Sequence, residues 1–97
     1  MVDRAGALKE MIGEYEYERS LASSRLDSHQ LRRAKLQMAH DILIEHGEQA
    51  EADQVQGEIH ALDHSIQADE ETLARLDRLL GIYRSTLGRL EAVKPDG

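Results

Sequence analysis

Apolar residues recur at alternating intervals of three and four along the C-terminal half of the chain. The twelve positions are Ala52, Val55, Ile59, Leu62, Ile66, Asp69, Leu73, Leu76, Leu80, Tyr83, Leu87 and Leu90. Eleven of the twelve are apolar, and the spacing never slips. A heptad repeat of this length predicts a long helix whose apolar seam packs against another helix, as in a coiled coil.

The N-terminal half carries a similar seam with four polar interruptions. Its positions are Ala5, Leu8, Ile12, Tyr15, Arg19, Ala22, Leu26, His29, Arg33, Leu36, His40 and Leu43. A second apolar set lies on a neighbouring face and comprises Tyr17, Leu21, Leu31, Met38 and Ile42. This half is apolar over a wider arc, which is expected of a helix that touches more than one neighbour.

The two halves are separated by a turn signal at Gly47. Glycine after the last apolar residues ends helices because it adopts the left-handed conformation cheaply. Asp53 and Gln56 then offer an N-cap and its capping-box partner. We therefore predict a single all-α domain, an antiparallel helical hairpin that pairs into a helical bundle. Its expected parts are a first arm over about 3–46, a tip over about 47–53, a second arm over about 54–93 and a short disordered tail over 94–97.

An alternative division of the first arm remains open. Ser23, Ser24 and the segment Asp27-Ser-His-Gln30 resemble a helix start. The first arm would then be broken near residues 23–28, which gives a three-helix arrangement.

Composition narrows the functional classes. The chain has 97 residues, no Cys, no Trp, no Phe and a net charge of −7, so clustered phosphate contacts and direct nucleic-acid binding are not expected. Residues 48–71 hold eight acids and no Lys or Arg, a local field that can steer a basic partner. No apolar run is long enough for a membrane span. The absence of Cys and of a signal-peptide pattern leads us to expect a cytoplasmic protein.

Candidate chemistry is sparse, and we expect neither an enzyme nor a cofactor. No serine lies in a nucleophile elbow, and no glycine loop fits a phosphate. His60 and His64 are four residues apart on one helical face, which makes them weak candidates for a metal pair, with Asp63 or His40 as a further ligand.

Three polar seam residues predict a contact that fixes the alignment of the two arms. His29 and Arg33 in the first arm and Asp69 in the second lie at roughly mirrored distances from the tip. A His or Arg that meets Asp69 would satisfy the carboxylate and fix the register of the two arms.

Glycines at heptad spacing indicate a partner interface at the open end of the hairpin. Glycine inside a helix costs about 1 kcal/mol relative to alanine, yet Gly6 and Gly13 share one column and Gly81 and Gly88 share another. Surplus apolar residues there include Val93. The predicted interface comprises Gly6, Gly13, Tyr17, Leu21, Met38, Leu79, Gly81, Ile82 and Gly88. The partner is either a second copy, giving a homodimer, or a heterologous protein.

The tip resembles that of bacterial transcription-elongation factors. Glu-His-Gly-Glu-Gln-Ala-Glu, from Glu45 to Glu51, is similar to the tip of the Gre family, and Ala52-Asp53 is similar to the DksA tip. Those factors insert an antiparallel coiled coil into the secondary channel of RNA polymerase, where tip acids handle the catalytic metal. The resemblance implies that Glu48, Glu51 and Asp53 are the tip acids.

Three functional hypotheses follow. The first is a non-enzymatic protein-interaction module: an adaptor, small chaperone, inhibitor or assembly subunit that presents helix faces to a protein. The second is a polymerase-channel regulator that acts through its tip acids. The third is a metal-handling helical bundle that uses His60 and His64.

Overall fold

The computed structural model describes residues 3–92, which form two long α-helices. Helix α1 runs over Arg4–Glu45 and helix α2 over Gln49–Ala92, and no strand occurs between residues 3 and 92. The two helices pack against each other, so the prediction of an all-α helical hairpin is confirmed. The expected interface residue Val93 and the expected tail 94–97 lie outside the described residues.

Helix α1 begins at a side-chain cap and continues without a break. Asp3 precedes the helix, and its carboxylate accepts a hydrogen bond from the backbone N–H of Gly6, which satisfies one of the free amides of the first turn. The alternative break near residues 23–28 is wrong, since α1 is helical throughout that segment. Ser24, Asp27 and Ser28 are exposed, so their polar side chains interact with solvent and leave the helical hydrogen bonds intact.

Three residues, 46–48, connect the helices, and helix α1 ends there in a Schellman motif. Gly47 has a φ of 74°, and its N–H donates to the carbonyl of Ile44 at 3.1 Å while that of Glu48 donates to Leu43 at 2.9 Å. These two bonds satisfy carbonyls that the end of α1 leaves free. The prediction that Gly47 stops the first helix is confirmed.

Helix α2 begins earlier than the sequence suggested. The tip predicted over 47–53 is wrong, because α2 starts at Gln49 and the carbonyl of Glu48 already accepts the N–H of Ala52 at 3.0 Å. Asp53 is not an N-cap: its carboxylate accepts a hydrogen bond from the side chain of Gln49 at 2.8 Å, inside the helix. The Schellman motif needs only one left-handed residue, so helix-forming Gln-Ala-Glu-Ala can follow at once.

Both predicted seams face away from solvent. All twelve seam residues of α2 are buried or half-buried, and of the twelve on α1 only Arg19 is exposed. Ile59, Leu76 and Leu80 are the largest fully buried side chains. Burial of these aliphatic groups supplies most of the free energy that holds the helices together.

The chain divides into two compact units. The first unit combines the residues up to Ala22 with those from Thr72 onward, and the second comprises Ser23–Glu71 with the Gly47 turn. Each unit therefore contains a segment of α1 and a segment of α2.

Replacing Gly47 by Ala is expected to lower the free energy of unfolding by about 1 kcal/mol, because an L side chain at positive φ is strained. The matched control is Gly57→Ala, within α2, which should raise it by about 1 kcal/mol through helix propensity. A Cβ would meet nothing within 4 Å at either position, so backbone conformation alone distinguishes them. Urea denaturation followed by circular dichroism measures both, and equal shifts of the same sign would contradict the assigned turn.

Candidate protein-interaction surfaces

In the first unit, ion pairs border the apolar seam. Lys9 lies 3.5 Å from Glu91, and Arg84 lies 3.5 Å from Glu16. Arg19, the exposed member of the α1 seam, forms two hydrogen bonds with the carboxylate of Asp77. These contacts are solvent-exposed, so each adds little stability. In every pair a basic side chain of one helix segment lies beside an acidic side chain of the other.

The same unit contains the one aromatic contact found among residues 3–92. The rings of Tyr15 and Tyr83 lie with their centroids 5.5 Å apart and their planes tilted by 34°. A hydrogen bond with Tyr83 raises the pKa of Tyr15 above its ordinary 10.0. The pair fills one layer of the seam, and we assign it a packing role.

In the second unit, one carboxylate is buried inside the seam. Asp69 is 7 % exposed, and its oxygens lie 2.7 Å from Nδ1 of His29 and 3.5 Å from Nε of Arg25. The prediction that a His or Arg meets Asp69 is confirmed for His29. A buried carboxylate without such partners would be strongly destabilising.

Arg33 does not join that polar layer. Its guanidinium donates a hydrogen bond to Asp63, and this bond lowers the pKa of Asp63 below its ordinary 3.8. Sequence spacing placed Arg33 on the seam with His29, but the long arginine side chain reaches past the seam edge to an exposed acid. Asp77 in the first unit is held in the same way by Arg19, which lowers its pKa.

The histidines do not assemble a metal site within residues 3–92, where no group of three or more potential ligands converges. His60 and His64 are both exposed, and Asp63 is occupied by Arg33. Nδ1 of His40 is buried without a hydrogen-bond partner; its 3.6 Å separation from Asp41 is too long for a hydrogen bond. Neither Asp63 nor His40 therefore completes a metal site with His60 and His64.

The acids near the turn form an exposed negative surface. Glu48 follows Gly47, Glu51 lies in the first turn of α2 and Asp53 lies two residues after Glu51. All three are exposed. Acids at this position interact favourably with the amino end of α2. The part of α2 within the second unit carries seven acids and no Lys or Arg.

The predicted interface residues of the first unit differ in exposure. Tyr17, Leu21 and Ile82 remain 66, 47 and 55 % exposed. Gly13, Gly81 and Gly88 are exposed, and a Cβ at each would meet nothing within 4 Å, so packing within the chain does not require glycine there.

Two other residues proposed for that interface are less available. Leu79 and Gly6 are half-buried. The N–H of Gly6 is engaged by the Asp3 cap, which gives this glycine a place in the helix start. Their assignment to a partner surface is therefore the least supported of the set.

The second unit exposes a larger apolar group on α1. Met38, Leu31, Ile42 and Ile44 are 66, 59, 53 and 43 % exposed. Met38 was predicted as an interface residue, whereas Leu31 and Ile42 were recognised only as part of the second apolar set. Leu31 lies seven residues before Met38 and Ile42 four residues after it, and these helical spacings were the signal that could have included them. Ile44 falls in neither pattern.

Compared with known protein families, curated proteins and solved structures, the chain has no significant match. Neither described helix is long and apolar enough to cross a membrane.

Replacing Asp69 by Leu is expected to leave the free energy of unfolding unchanged or raised, because an apolar side chain in the seam removes a desolvated charge. The released His29 and Arg25 reach solvent from the helix surface. The variant should lose unique pairing of the helices, which amide NMR spectra would report as extra or broadened resonances. A variant that unfolds would contradict the register role.

Stability should fall at acid pH through the carboxylates of Asp63 and Asp77, whose folded-state pKa values lie below the ordinary 3.8. Both ion pairs stabilise the folded state fully above about pH 5, and this contribution is lost as the pH falls through the folded pKa values. The Asp63→Asn, Asp77→Asn double variant should be less stable at neutral pH and lose less on acidification. Thermal melts from pH 7 to pH 2 measure this, with exposed Glu58→Gln as the control; identical slopes for all three proteins would contradict it.

Proposed function

We propose that this chain is a non-enzymatic protein–protein interaction module that offers one side of α1 to a partner helix. The observation that supports the proposal is an apolar surface left open after α1 and α2 pack. We call it the α1 stripe; it lies within the second unit, and its residues, between 53 and 66 % exposed, are Leu31, Met38 and Ile42.

The spacing of the stripe favours a helical partner. Its residues are separated by seven and four positions within helix α1, so at 3.6 residues per turn they share one face. That face lies nearly opposite the seam, not beside it as expected from the sequence. Side chains at such positions accept the side chains of a second helix between them, as in coiled coils. An extended peptide has a period of two and would not match this spacing.

Leaving these apolar side chains in water costs free energy. Isolated exposed apolar residues are ordinary on protein surfaces, but a repeated row is typical of interaction sites. Full burial of a side chain of this size is worth about 1.5–3 kcal/mol, and roughly half of that remains available at each position. Three such side chains supply a useful gain against the cost of association.

The polar groups support this proposal less directly. The acidic part of α2 in the second unit lies on a different helix from the stripe, and we assign it an effect on association rate and on choice of partner. No residue is given a catalytic role in this proposal, and the carboxylates near the turn are exposed rather than enclosed.

A polymerase-channel regulator is the second candidate, favoured by one observation. Glu48, Glu51 and Asp53 are exposed beside a turn of only three residues, so they are free to approach a metal held by another protein. In this case the acids, and not the α1 stripe, would carry the activity.

Replacing Leu31, Met38 and Ile42 by Ser together is expected to abolish capture of the partner from a lysate of the native host, measured by quantitative mass spectrometry. Stability should change little, since exposed sites typically contribute within about 0.5 kcal/mol each. Exposed Ile44→Ser, outside the stripe, is the matched control and should capture the partner normally.

A tip variant with Glu48→Gln, Glu51→Gln and Asp53→Asn separates the two candidates in the same experiment. Capture that survives the tip changes and fails with the stripe changes supports the interaction module, provided that the purified partner, or the chain itself, then shows the same dependence. Capture that fails only with the tip variant would support the second candidate and overturn the first.

A further inference from the structure

On the first unit's segment of α1, the side turned away from the seam carries exposed apolar side chains beside two acids. Tyr17 and Leu21 are 66 and 47 % exposed. Glu10 and Glu14 are exposed, and neither has an ion-pair partner within the described residues. At 3.6 residues per turn these positions, together with Gly13, lie roughly 130–170° around α1 from the seam. We call these five residues the acidic face.

The first unit's segment of α2 carries the opposite charge on its own outer side. Ile82 is 55 % exposed. Arg78 and Arg89 are exposed, with no acidic partner in the part of the chain that the structure describes. Gly81 and Gly88 complete this side, and a Cβ at either would meet nothing within 4 Å. All five positions lie roughly 110–170° around α2 from the seam, and we call them the basic face.

The two faces match each other in charge and in arrangement. On each helix the charged residues and one aliphatic residue lie along one edge of the face, and glycine lies along the other edge, in the same rotational sense. Edges of the same sense meet when two helices pack antiparallel, whereas edges of opposite sense meet when they pack parallel. Antiparallel packing of an acidic face against a basic face therefore sets Glu10 and Glu14 beside Arg78 and Arg89. Parallel packing would set the acids beside the glycine edge.

The glycines gain a role in the same arrangement. Glycine within a helix costs about 1 kcal/mol relative to alanine, and packing within the chain does not require it at Gly13, Gly81 or Gly88. Helix axes approach more closely where the side chains at the contact are small. Antiparallel packing brings the edge with Gly13 against the edge with Gly81 and Gly88, so the close approach falls on the side of the contact that carries no charge.

We propose that the acidic face of one copy binds the basic face of a second copy, with the two helices antiparallel. Opposite charges on two outer sides of the same unit favour a second copy over an unrelated protein, because one chain carries both halves of the contact. Burial of Tyr17, Leu21 and Ile82 supplies the free energy, and the charges fix the orientation and the choice of face. The contact involves only the first unit and none of the α1 stripe, so it is independent of the function proposed above.

The two faces lie on opposite sides of the first unit, since each is turned away from the seam between α1 and α2. One copy therefore binds a neighbour through each face. The contact is heterologous, because different surfaces meet and no two-fold axis relates the copies. Association of this kind continues beyond two copies as the concentration rises.

Charge reversal in the full-length protein tests the match between the faces. The Glu10→Lys, Glu14→Lys variant has two basic faces and the Arg78→Glu, Arg89→Glu variant has two acidic ones, so the dissociation constant of each alone should rise at least tenfold. An equimolar mixture should associate again, because the reversed face of either protein meets a face of opposite charge on the other. The protein with all four substitutions keeps the net charge of −7 and should associate like the unchanged chain. Sedimentation equilibrium measures the mass in each case.

A matched control changes the net charge without altering either face. Glu58 and Glu70 are exposed residues of the second unit. Each Glu→Lys change adds two charges, so the Glu58→Lys, Glu70→Lys variant goes from −7 to −3, as the acidic-face variant does, and should self-associate normally. Reversed proteins that each associate like the unchanged chain would overturn the proposal, as would a mixture that stays monomeric while both proteins keep their helical circular dichroism.

A glycine variant tests the contact without reversing any charge. Gly81→Gln, Gly88→Gln adds bulk to one edge of the basic face while favouring the helix, so the dissociation constant should rise at least tenfold although the protein becomes more resistant to urea. Unchanged association of this variant would overturn the close approach of the two helices. For the unchanged chain, a mass of one copy at millimolar concentration, or a mass that stops at two copies, would overturn the proposal.

The α1 stripe variant separates this inference from the proposed function. The protein with Leu31, Met38 and Ile42 replaced by Ser should self-associate like the unchanged chain, because its acidic and basic faces are intact. Loss of self-association in this variant would overturn the assignment to the first unit. Partner capture that depends on the stripe while the unchanged chain stays monomeric would refute the self-association alone and leave the interaction function standing.

Discussion

The buried carboxylate of Asp69 is the constraint on which the pairing of α1 and α2 depends. Aliphatic layers supply the free energy of packing, but each heptad resembles the next, so they do not by themselves fix the register. A carboxylate that is 7 % exposed is tolerated only where donors reach it. A slide by one heptad would replace His29 with Ala22 or Leu36 opposite Asp69, and the carboxylate would lose its nearest donor.

The sequence predicted those features of the fold that burial requires in every heptad. An apolar seam must keep its spacing or a polar residue enters the interior, so the 3-4 pattern identified both helices and nearly every residue that they bury. Gly47 was recognisable for a different reason: a positive φ is costly for other residues, and glycine after an apolar run is the usual solution. The meeting of His29 with Asp69 followed from their positions relative to that turn.

The features that sequence did not give depend on side-chain reach or on weak local preferences. Capping signals at Asp53 and near Ser23 were misleading, because Asp and Ser are tolerated inside a helix when their side chains reach solvent or a neighbour. The partner of Arg33 is set by the length of its side chain, which heptad arithmetic ignores. The exposure of Leu31 and Ile42 depends on which side of α1 is covered by α2, its one packed neighbour within the described residues. The sequence was equally compatible with a second helix that covers Leu31 and Ile42.

Charged and apolar side chains differ in whether the chain itself supplies their partners. Several charged residues that are natural candidates for chemistry have partners in the chain: Asp69 with His29, Asp63 with Arg33, and Asp77 with Arg19. These pairings satisfy the fold. The large apolar side chains of the α1 stripe stay in water at a cost that packing within residues 3–92 does not offset. The heptad glycines add a second unexplained cost, because a Cβ at Gly13, Gly81 or Gly88 would be accommodated. The chain supplies partners for its buried carboxylate but no cover for the apolar side chains of the α1 stripe within residues 3–92, and this difference is the reason for proposing a binding function.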